Sequence, residues 1–144
     1  MREFEISQCK YWVIECGIGG THSVTNLLKH SVQVSAITSI GLDHMEIIGN
    51  SKDKILWDKL GVWNWGHKII IGPKVSKTDL ELAIDDKSIY EDMIHLKDEE
   101  GKSFESDNLS ITKEILKVLY INSNEKDLDV KPRFRLEKIK EIKN

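Results

Sequence analysis

Three continuous apolar runs, each closed by glycine, constrain the fold of this 144-residue chain more than any other feature. They read YWVIEC at 11–16, SVQVSAITSIG at 31–41 and HKIIIG at 67–72. Runs that are apolar throughout are typical of strands buried on both faces of a parallel sheet. A helix predicted over 51–63, with Ser51 as its N-cap, separates the second and third runs. We therefore predict an α/β fold with a mostly parallel sheet flanked by helices.

The second half of the chain carries weaker signals. Helices are predicted over 76–85 and 107–122, the second because its apolar residues recur at helical spacing. One or two exposed strands are predicted over 88–106, and the polar stretch at 122–132 is predicted to be a linker.

Charge, apolar runs and cysteines exclude several functional classes. The net charge of −3 gives no general attraction to nucleic acid or to an anionic membrane. No apolar run approaches the roughly 18 residues of a membrane span, and the first ten residues lack the apolar centre of a signal peptide. Cys9 and Cys16 form no CxxC pattern and indicate reduced thiols in a cytoplasmic protein, with Cys16 predicted to be buried.

Two polar residues follow apolar runs in a way that predicts a binding site. Glu15 and His44 both lie near the predicted carboxyl ends of strands, and parallel sheets bind ligands at that edge. A carboxylate and a neutral imidazole suit Mg²⁺ or Mn²⁺. The glycines after Glu15 would let a ligand approach the backbone closely. We therefore expect the two side chains to share one metal site.

Each of these residues also has a structural interpretation. Glu15 could be bonded to loop amides, and His44 could be a packing or capping residue. Asp43 could cap the following turn. The GIGG run lacks the spacing of a phosphate loop and is typical of a turn. Lys59 could be a solvated helix lysine, and these alternatives stay open on composition and spacing alone.

Taken together, the motifs resemble folylpolyglutamate synthases and dihydrofolate synthases of the Mur ligase superfamily. The segment at 13–26, VIECGIGGTHSVTN, is similar to the family's E-V-G-L-G-G-x-x-D-A-T-N, and ITSIGLDHMEIIG at 37–49 is similar to I-T-x-I-G-x-D-H-x-x-x-L-G. DKLGV at 58–62 follows at the spacing of the family's E-K-A-G-I. The likeness is looser for DNLSITKEILKVL at 107–119 and for PRFRLE at 132–137.

The resemblance implies an ATP-dependent ligase that joins L-glutamate to a folate or pteroate carboxylate, with ATP and Mg²⁺ as cofactors. It implies that Glu15 and His44 are metal ligands and that Lys59 is a carbamylated lysine. Asn108 matches a position near the nucleotide. Arg135 matches a second position near the nucleotide, and Arg133 is the alternative for that position.

The resemblance also implies a partial chain. Residues 1–122 would form part of the central ATP-binding domain, and 123–144 would be a linker and the start of a C-terminal domain. The family's phosphate loop, G-T-N-G-K-G-S, would lie upstream, and Ser23 replaces the aspartate of D-A-T-N. We therefore expect a fragment that is inactive alone. The alternative is a non-catalytic subunit that complements a separately encoded N-terminal piece, using an exposed sheet edge as its interface.

Overall fold

The apolar run at 67–72 supplies the central strand of the sheet. A computed structural model describes residues 6–128 of the chain. Within these residues the strands are β1 (Val34–Ile37), β2 (Lys68–Ile71) and β3 (Met93–His95), in the order β1-β2-β3. Both pairs are parallel. The predicted α/β fold with a parallel sheet is confirmed, and the second and third apolar runs form β1 and β2.

Helices connect the strands and cover the sheet. The α-helices of the described residues are α1 (Met45–Ile48), α2 (Lys52–Lys59), α3 (Lys77–Ala83), α4 (Phe104–Val118) and α5 (Glu125–Leu128). Short 3₁₀ helices are found at Val24–Ser31, Leu60–Val62 and Lys87–Asp92. The predictions of α2, α3 and α4 are confirmed, whereas the four-residue α5 lies inside the stretch predicted as a linker. No helix within 6–128 is long and apolar enough to cross a membrane.

The core lies between β2 and α2. Ile69, Ile71, Ile55 and Leu56 are completely buried, and Trp63, just beyond α2, is 1% exposed. Because α2 and α3 cover one face of the sheet and α4 packs on β1 and β2, the central strand has no face left for water. Burying one such aliphatic side chain contributes roughly 1.5–3 kcal/mol, so this contact dominates the stability of the fold.

The glycine that closes the third run has a packing role. The Gly72 N–H donates a hydrogen bond of 2.8 Å to the Ile37 carbonyl, which extends the pairing of β1 and β2 by one residue. A Cβ at Gly72 would collide with the backbone of Thr38. The two chain segments therefore leave the sheet closer together than any larger residue would permit.

The first apolar run departs from the prediction. Residues 11–16 pair with no strand in the described part of the chain, and Val13 is 91% exposed. A strand requires a neighbour that satisfies its backbone N–H and C=O groups, and the sheet order provides none for this segment. The prediction of a strand at 11–16 is therefore wrong for this structure. Cys16 is half-buried, so its predicted burial is realised only in part.

Candidate functional site

His44 follows the carboxyl end of β1 and begins α1. It is exposed and has a left-handed backbone, with φ of 54° and ψ of 35°. Such a conformation is uncommon for a residue other than glycine, although histidine adopts it more readily than most. The His44 side chain makes no capping hydrogen bond to α1. The capping interpretation is therefore not realised, and the imidazole faces solvent near the edge at which parallel sheets bind ligands.

Glu15 lies in a loop that leads into the glycine turn at 17–20. It is exposed and lies near the end of segment 11–16, which is not a strand in the described residues, so the expectation that a strand end presents it is wrong. The turn that follows is held by other residues: Cys16 Sγ donates to the Gly19 carbonyl at 2.9 Å, and Asp58 accepts from Gly20. The position of Glu15 therefore depends on how this glycine turn is attached to the rest of the fold.

Asp58 attaches the glycine turn to the end of α2. The Gly20 N–H donates to Asp58 Oδ2 at 2.9 Å, across 38 residues of sequence. Thr21 donates twice to the Asp58 carbonyl, from its N–H at 3.0 Å and from Oγ1 at 3.2 Å. The last carbonyl groups of a helix have no partner inside the helix. The turn therefore caps α2 while the Asp58 side chain holds the turn.

The closeness of this contact explains the glycines of the turn. A Cβ on Gly19 would collide with the Asp58 carboxylate. A Cβ on Gly20 would lie 2.5 Å from the Asp58 carbonyl oxygen and 2.6 Å from that of Lys59. The expectation that these glycines give a ligand access to the backbone is wrong for Gly19 and Gly20, because α2 already fills that space. Gly17 alone of the GIGG glycines faces open space.

A third glycine, from the DKLGV motif, completes the same contact. A Cβ on Gly61 would collide with the backbone of Thr21. Two motifs that are far apart in the sequence therefore meet through glycine on both sides. The glycines of the two motifs that resemble the family are the residues that make this contact sterically possible.

Lys59 lies beside the glycine turn. It is the last residue of α2, it is half-buried, and its carbonyl group is against Gly20. Within 6–128, no carboxylate oxygen lies within 4 Å of its ammonium group. The structure thus brings Lys59 next to the turn that follows Glu15, and it leaves the amine without a fixed ionic partner among the described residues.

An open groove of about 550 Å³ adjoins the turn. Its walls come from His22, from α1, from α2 and from the end of α3, and they include the exposed side chains of Ile47, Trp57 and Leu82. Small-molecule sites typically have volumes of roughly 300–1,000 Å³ and mainly apolar walls. The groove has a volume in this range, but its lining is about half polar, with Asp53, Lys54 and Asp58 beside the apolar side chains. Another open groove, of about 430 Å³, lies at the end of α4 and contains none of the predicted site residues.

Asn108 lies in the first half of α4. Its neighbour Asp107 is only 6% exposed, and Asp107 Oδ1 has no hydrogen-bond partner among the described residues. A hydrogen bond to Asp98 raises the pKa of Lys74, which follows β2, and the charge of Asp107 adds to that effect. The Asp107 carboxylate therefore lies within electrostatic reach of Lys74, in the chain that leaves β2. Arg135 and its alternative Arg133 lie outside the described residues.

The chemical character of Glu15 and His44 fits a metal ion that keeps most of its water. Within 6–128, no three His, Cys, Asp or Glu side chains come together as a closed metal site. Mg²⁺ commonly binds one or two protein ligands and completes its coordination with water and phosphate oxygens. A carboxylate and an imidazole are compatible with such a metal ion. They are too few for a structural metal ion, which is enclosed by four protein ligands.

Asp58 and Asp107 were not predicted from the sequence as residues of the site. The position of Asp58 could have been noticed in the sequence, because an acid in the last turn of a helix interacts unfavourably with the helix dipole. Such a placement indicates that the carboxylate has a compensating partner. Asp107 gave no such signal, since an acid in the first turn of α4 is an ordinary favourable placement. Its burial depends on tertiary packing that spacing does not reveal.

Comparisons with known proteins support the resemblance. No family model matches the chain. The mitochondrial folylpolyglutamate synthase (FPGS) of Bos taurus is 43% identical over 54 residues, which are 38% of this chain and 9% of that protein. The dihydrofolate synthase/folylpolyglutamate synthase of Haemophilus influenzae is 33% identical over 72 residues, 49% of this chain and 16% of that protein. The chain thus spans a small part of the length of these relatives.

Solved structures extend the similarity over nearly the whole chain. A mutant of L. casei FPGS has a TM-score of 0.75 and 18% identity, over 96% of this chain and 43% of that one. A structure described as an FPGS–AMPPCP complex has a TM-score of 0.74 over the same fractions. At this identity the likeness establishes the fold. Together with the sequence matches, it confirms the resemblance to folylpolyglutamate synthases.

Proposed function

We propose that the chain is part of the central ATPase domain of a ligase that joins L-glutamate to a folate or pteroate. The observation that carries the proposal is the agreement of the motifs around Glu15 and His44 with a fold that matches the FPGS–AMPPCP complex over 96% of the chain. AMPPCP is an analogue of ATP, which supports ATP as the nucleotide. The 43% identity to the bovine synthase supports the same chemistry.

The proposed reaction has two steps. A carboxylate oxygen of the folate or pteroate attacks the γ-phosphorus of ATP, ADP leaves, and an acyl phosphate forms. The amine of L-glutamate then attacks the acyl carbon, and inorganic phosphate leaves as the amide forms and the nitrogen loses its proton. Phosphoryl transfer offers the protein little covalent chemistry, so catalysis depends on positioning and on stabilisation of charge.

Glu15, His44 and Lys59 would provide that charge stabilisation. Glu15 and His44 would hold Mg²⁺, which when bound neutralises developing charge on phosphate oxygens. Lys59 would be carbamylated in the complete enzyme, which replaces a cation by an anion that can help to bind a second metal. Carbamylation needs the neutral amine or a cation that traps the product, so we expect Lys59 to be unmodified in the isolated chain.

Asn108 and Arg135 would contact the nucleotide. The assignment of Asn108, which lies in the first half of α4, rests on the sequence resemblance. The assignment of Arg135, or of its alternative Arg133, rests on the sequence resemblance alone. A polar amide and a guanidinium suit a base edge and a phosphate, respectively.

We further propose that the 144-residue chain does not use ATP by itself. Its sequence contains no G-x-x-x-x-G-K phosphate loop, and it spans 43% of the FPGS structure that it matches. The backbone amides and the lysine of such a loop hold the β- and γ-phosphates. Another polypeptide segment would have to supply them.

A second candidate function is that of a non-catalytic subunit. The observation that favours it is the exposed segment 11–16, in which Tyr11, Val13 and Ile14 are 45%, 91% and 41% exposed. A run of β-forming apolar residues that is part of no sheet in residues 6–128 is a suitable docking site for a strand of a partner polypeptide. In this function the chain would stabilise a partner without contributing Glu15 or His44 to chemistry.

A complementation assay separates the two functions. The chain is co-expressed with a polypeptide that carries the remaining segments of a relative, and ATP-dependent incorporation of labelled glutamate into a folate is measured. We expect no incorporation by either piece alone and incorporation by the pair. Glu15→Gln should reduce the activity of the pair at least 100-fold, whereas Glu46→Gln, an exposed acid of α1, should leave it unchanged.

Each outcome of the assay has a distinct meaning. Full activity of the Glu15→Gln pair would favour the subunit function over the catalytic one. Incorporation by the 144-residue chain alone would refute the proposed inactivity. An assembled pair that never incorporates glutamate would contradict the ligase proposal.

A further inference from the structure

We propose that Asp58 is a positioning residue that sets the spacing between the turn after Glu15 and the end of α2 that carries Lys59. The inference rests on the proposed function, because it concerns how the metal ligand and the candidate carbamylated lysine are held in register. Asp58 does not itself touch a substrate in this role. It acts through Gly20 and Thr21, both of which it contacts directly.

The electrostatics of α2 show that Asp58 is held by this contact. The C-terminus of a helix carries partial negative charge, so a carboxylate in the last turn is unfavourable by itself. Asp58 is offset by the Gly20 N–H, which donates to its carboxylate at 2.9 Å. Hydrogen bonds to a charged acceptor are roughly twice as strong as neutral ones, so this bond can hold the turn in one position.

The contact also leaves little room for adjustment. Gly20 and Gly61 lack space for a Cβ because the backbones of the turn and the helix end meet there, and a Cβ on Gly19 would collide with the Asp58 side chain. On the far side of the turn, Asn26 Nδ2 donates to the Thr21 carbonyl at 2.8 Å. The last residue of the first motif therefore supports the same turn that Asp58 holds from α2.

Both reactive candidates are attached directly to this contact. Lys59 is the next residue after Asp58, and Glu15 is joined to Gly20 by the short turn. A displacement of about 1 Å in such a supporting contact can reduce activity by two orders of magnitude, and groups that orient metal ligands typically change metal affinity 10–100-fold when they are removed. Asp58 is therefore expected to control metal binding at Glu15 without being a ligand.

The test uses the 144-residue chain and Mn²⁺ as a substitute for Mg²⁺. Paramagnetic broadening of assigned amide signals gives the Mn²⁺ dissociation constant and the residues near the ion, while thermal unfolding is followed in parallel. We expect Asp58→Ala to raise the dissociation constant about tenfold. Asp58→Asn keeps an acceptor oxygen for Gly20 and should raise it only two- to threefold.

Asp53→Ala is the matched control. Asp53 is also an acid of α2, but it lies in the first turn and makes none of the hydrogen bonds that join α2 to Gly20 and Thr21. Its removal should leave Mn²⁺ affinity unchanged. A role of Asp58 in stability alone would lower the unfolding midpoint of Asp58→Ala and leave the Mn²⁺ affinity of the folded protein as it is.

The outcomes distinguish failure of the inference from failure of the proposed function. Wild-type affinity in Asp58→Ala, or an equal loss in Asp53→Ala, overturns the positioning role and leaves the metal site standing. Absence of Mn²⁺ broadening near Glu15 and His44 in the wild-type chain overturns the proposed metal site, and the inference with it.

Discussion

The strand β2 and the segment 11–16 have similar sequences and opposite environments. Both are short apolar runs that end at glycine, yet Ile69–Ile71 are completely buried and Val13 is 91% exposed. β2 has a partner on each edge, whereas 11–16 has none in the described chain. An apolar run can thus form a strand, but whether it does so depends on a neighbouring strand with which it can pair.

The same comparison explains why packing against the core holds only some of the candidate site residues in place. His44 and Lys59 lie on or next to elements that pack against the core, through α1 and α2. Glu15 lies on the exposed segment, and the Asp58 contact holds Gly20, five residues further along the chain. A completing polypeptide that pairs with 11–16 would therefore affect Glu15 more than the other two residues.

The largest difference between the two regions is expected from truncation of an apolar side chain. Ile69→Ala leaves a cavity in the core and should lower the free energy of unfolding by about 2–5 kcal/mol. Val13→Ala removes exposed atoms and should change it by less than about 0.5 kcal/mol. Urea denaturation of both variants measures this contrast. Comparable losses would mean that 11–16 is buried in solution.

A smaller difference is expected between two tryptophans. Trp63 Nε1 donates to the His67 carbonyl at 2.7 Å and the ring stacks on Trp65 with centroids 4.8 Å apart. Trp63→Phe leaves that carbonyl without its partner and should destabilise the chain by about 1–3 kcal/mol. Trp57→Phe, at a residue that is 56% exposed, should have little effect. Equal unfolding midpoints in urea would contradict the assigned role of Trp63.

The fold was largely predictable because its signals are local. β1, β2, α2 and α4 follow from apolar runs and helical spacing. The state of 11–16 was not predictable, because it depends on whether another strand lies beside it, and residues 6–128 provide none. The Asp58 contact was also hidden, because it joins residues 38 positions apart and no periodicity reports such a pairing.

Helix caps offer a comparison inside the well-ordered region. Ser76 Oγ accepts from the Asp79 N–H at 3.0 Å at the start of α3, whereas Ser51, at the same position of α2, makes no capping bond. Ser76→Ala should therefore cost about 1 kcal/mol and Ser51→Ala less than half of that. Chemical denaturation measures both.

The effect of Ser51 is expected on the pKa of Asp53 and not on helix capping. Its hydroxyl donates to Asp53 and lowers the pKa of that carboxyl group. A lowered pKa in the folded state stabilises the protein above the unfolded pKa, and this contribution is lost as the pH falls through the folded value. Ser51→Ala should therefore raise the pKa of Asp53 towards its ordinary value, as measured by NMR titration. An unchanged Asp53 titration would show that the hydroxyl does not contact it in solution.

The smallest effect on stability, and the most informative for function, is expected from a charge on the exposed segment. Val13→Lys should change the free energy of unfolding of the isolated chain by less than about 0.5 kcal/mol, because the side chain is already in water. If 11–16 receives a strand from a completing polypeptide, the same lysine would be buried in the assembly, where an unpaired charge is costly. Association with that polypeptide, measured by calorimetry, should then weaken at least tenfold. Leu82→Lys, at a residue that is 65% exposed on α3, is the control and should leave association unchanged. Undiminished association of Val13→Lys would show that the interface lies elsewhere and that 11–16 is exposed in the assembled protein as well.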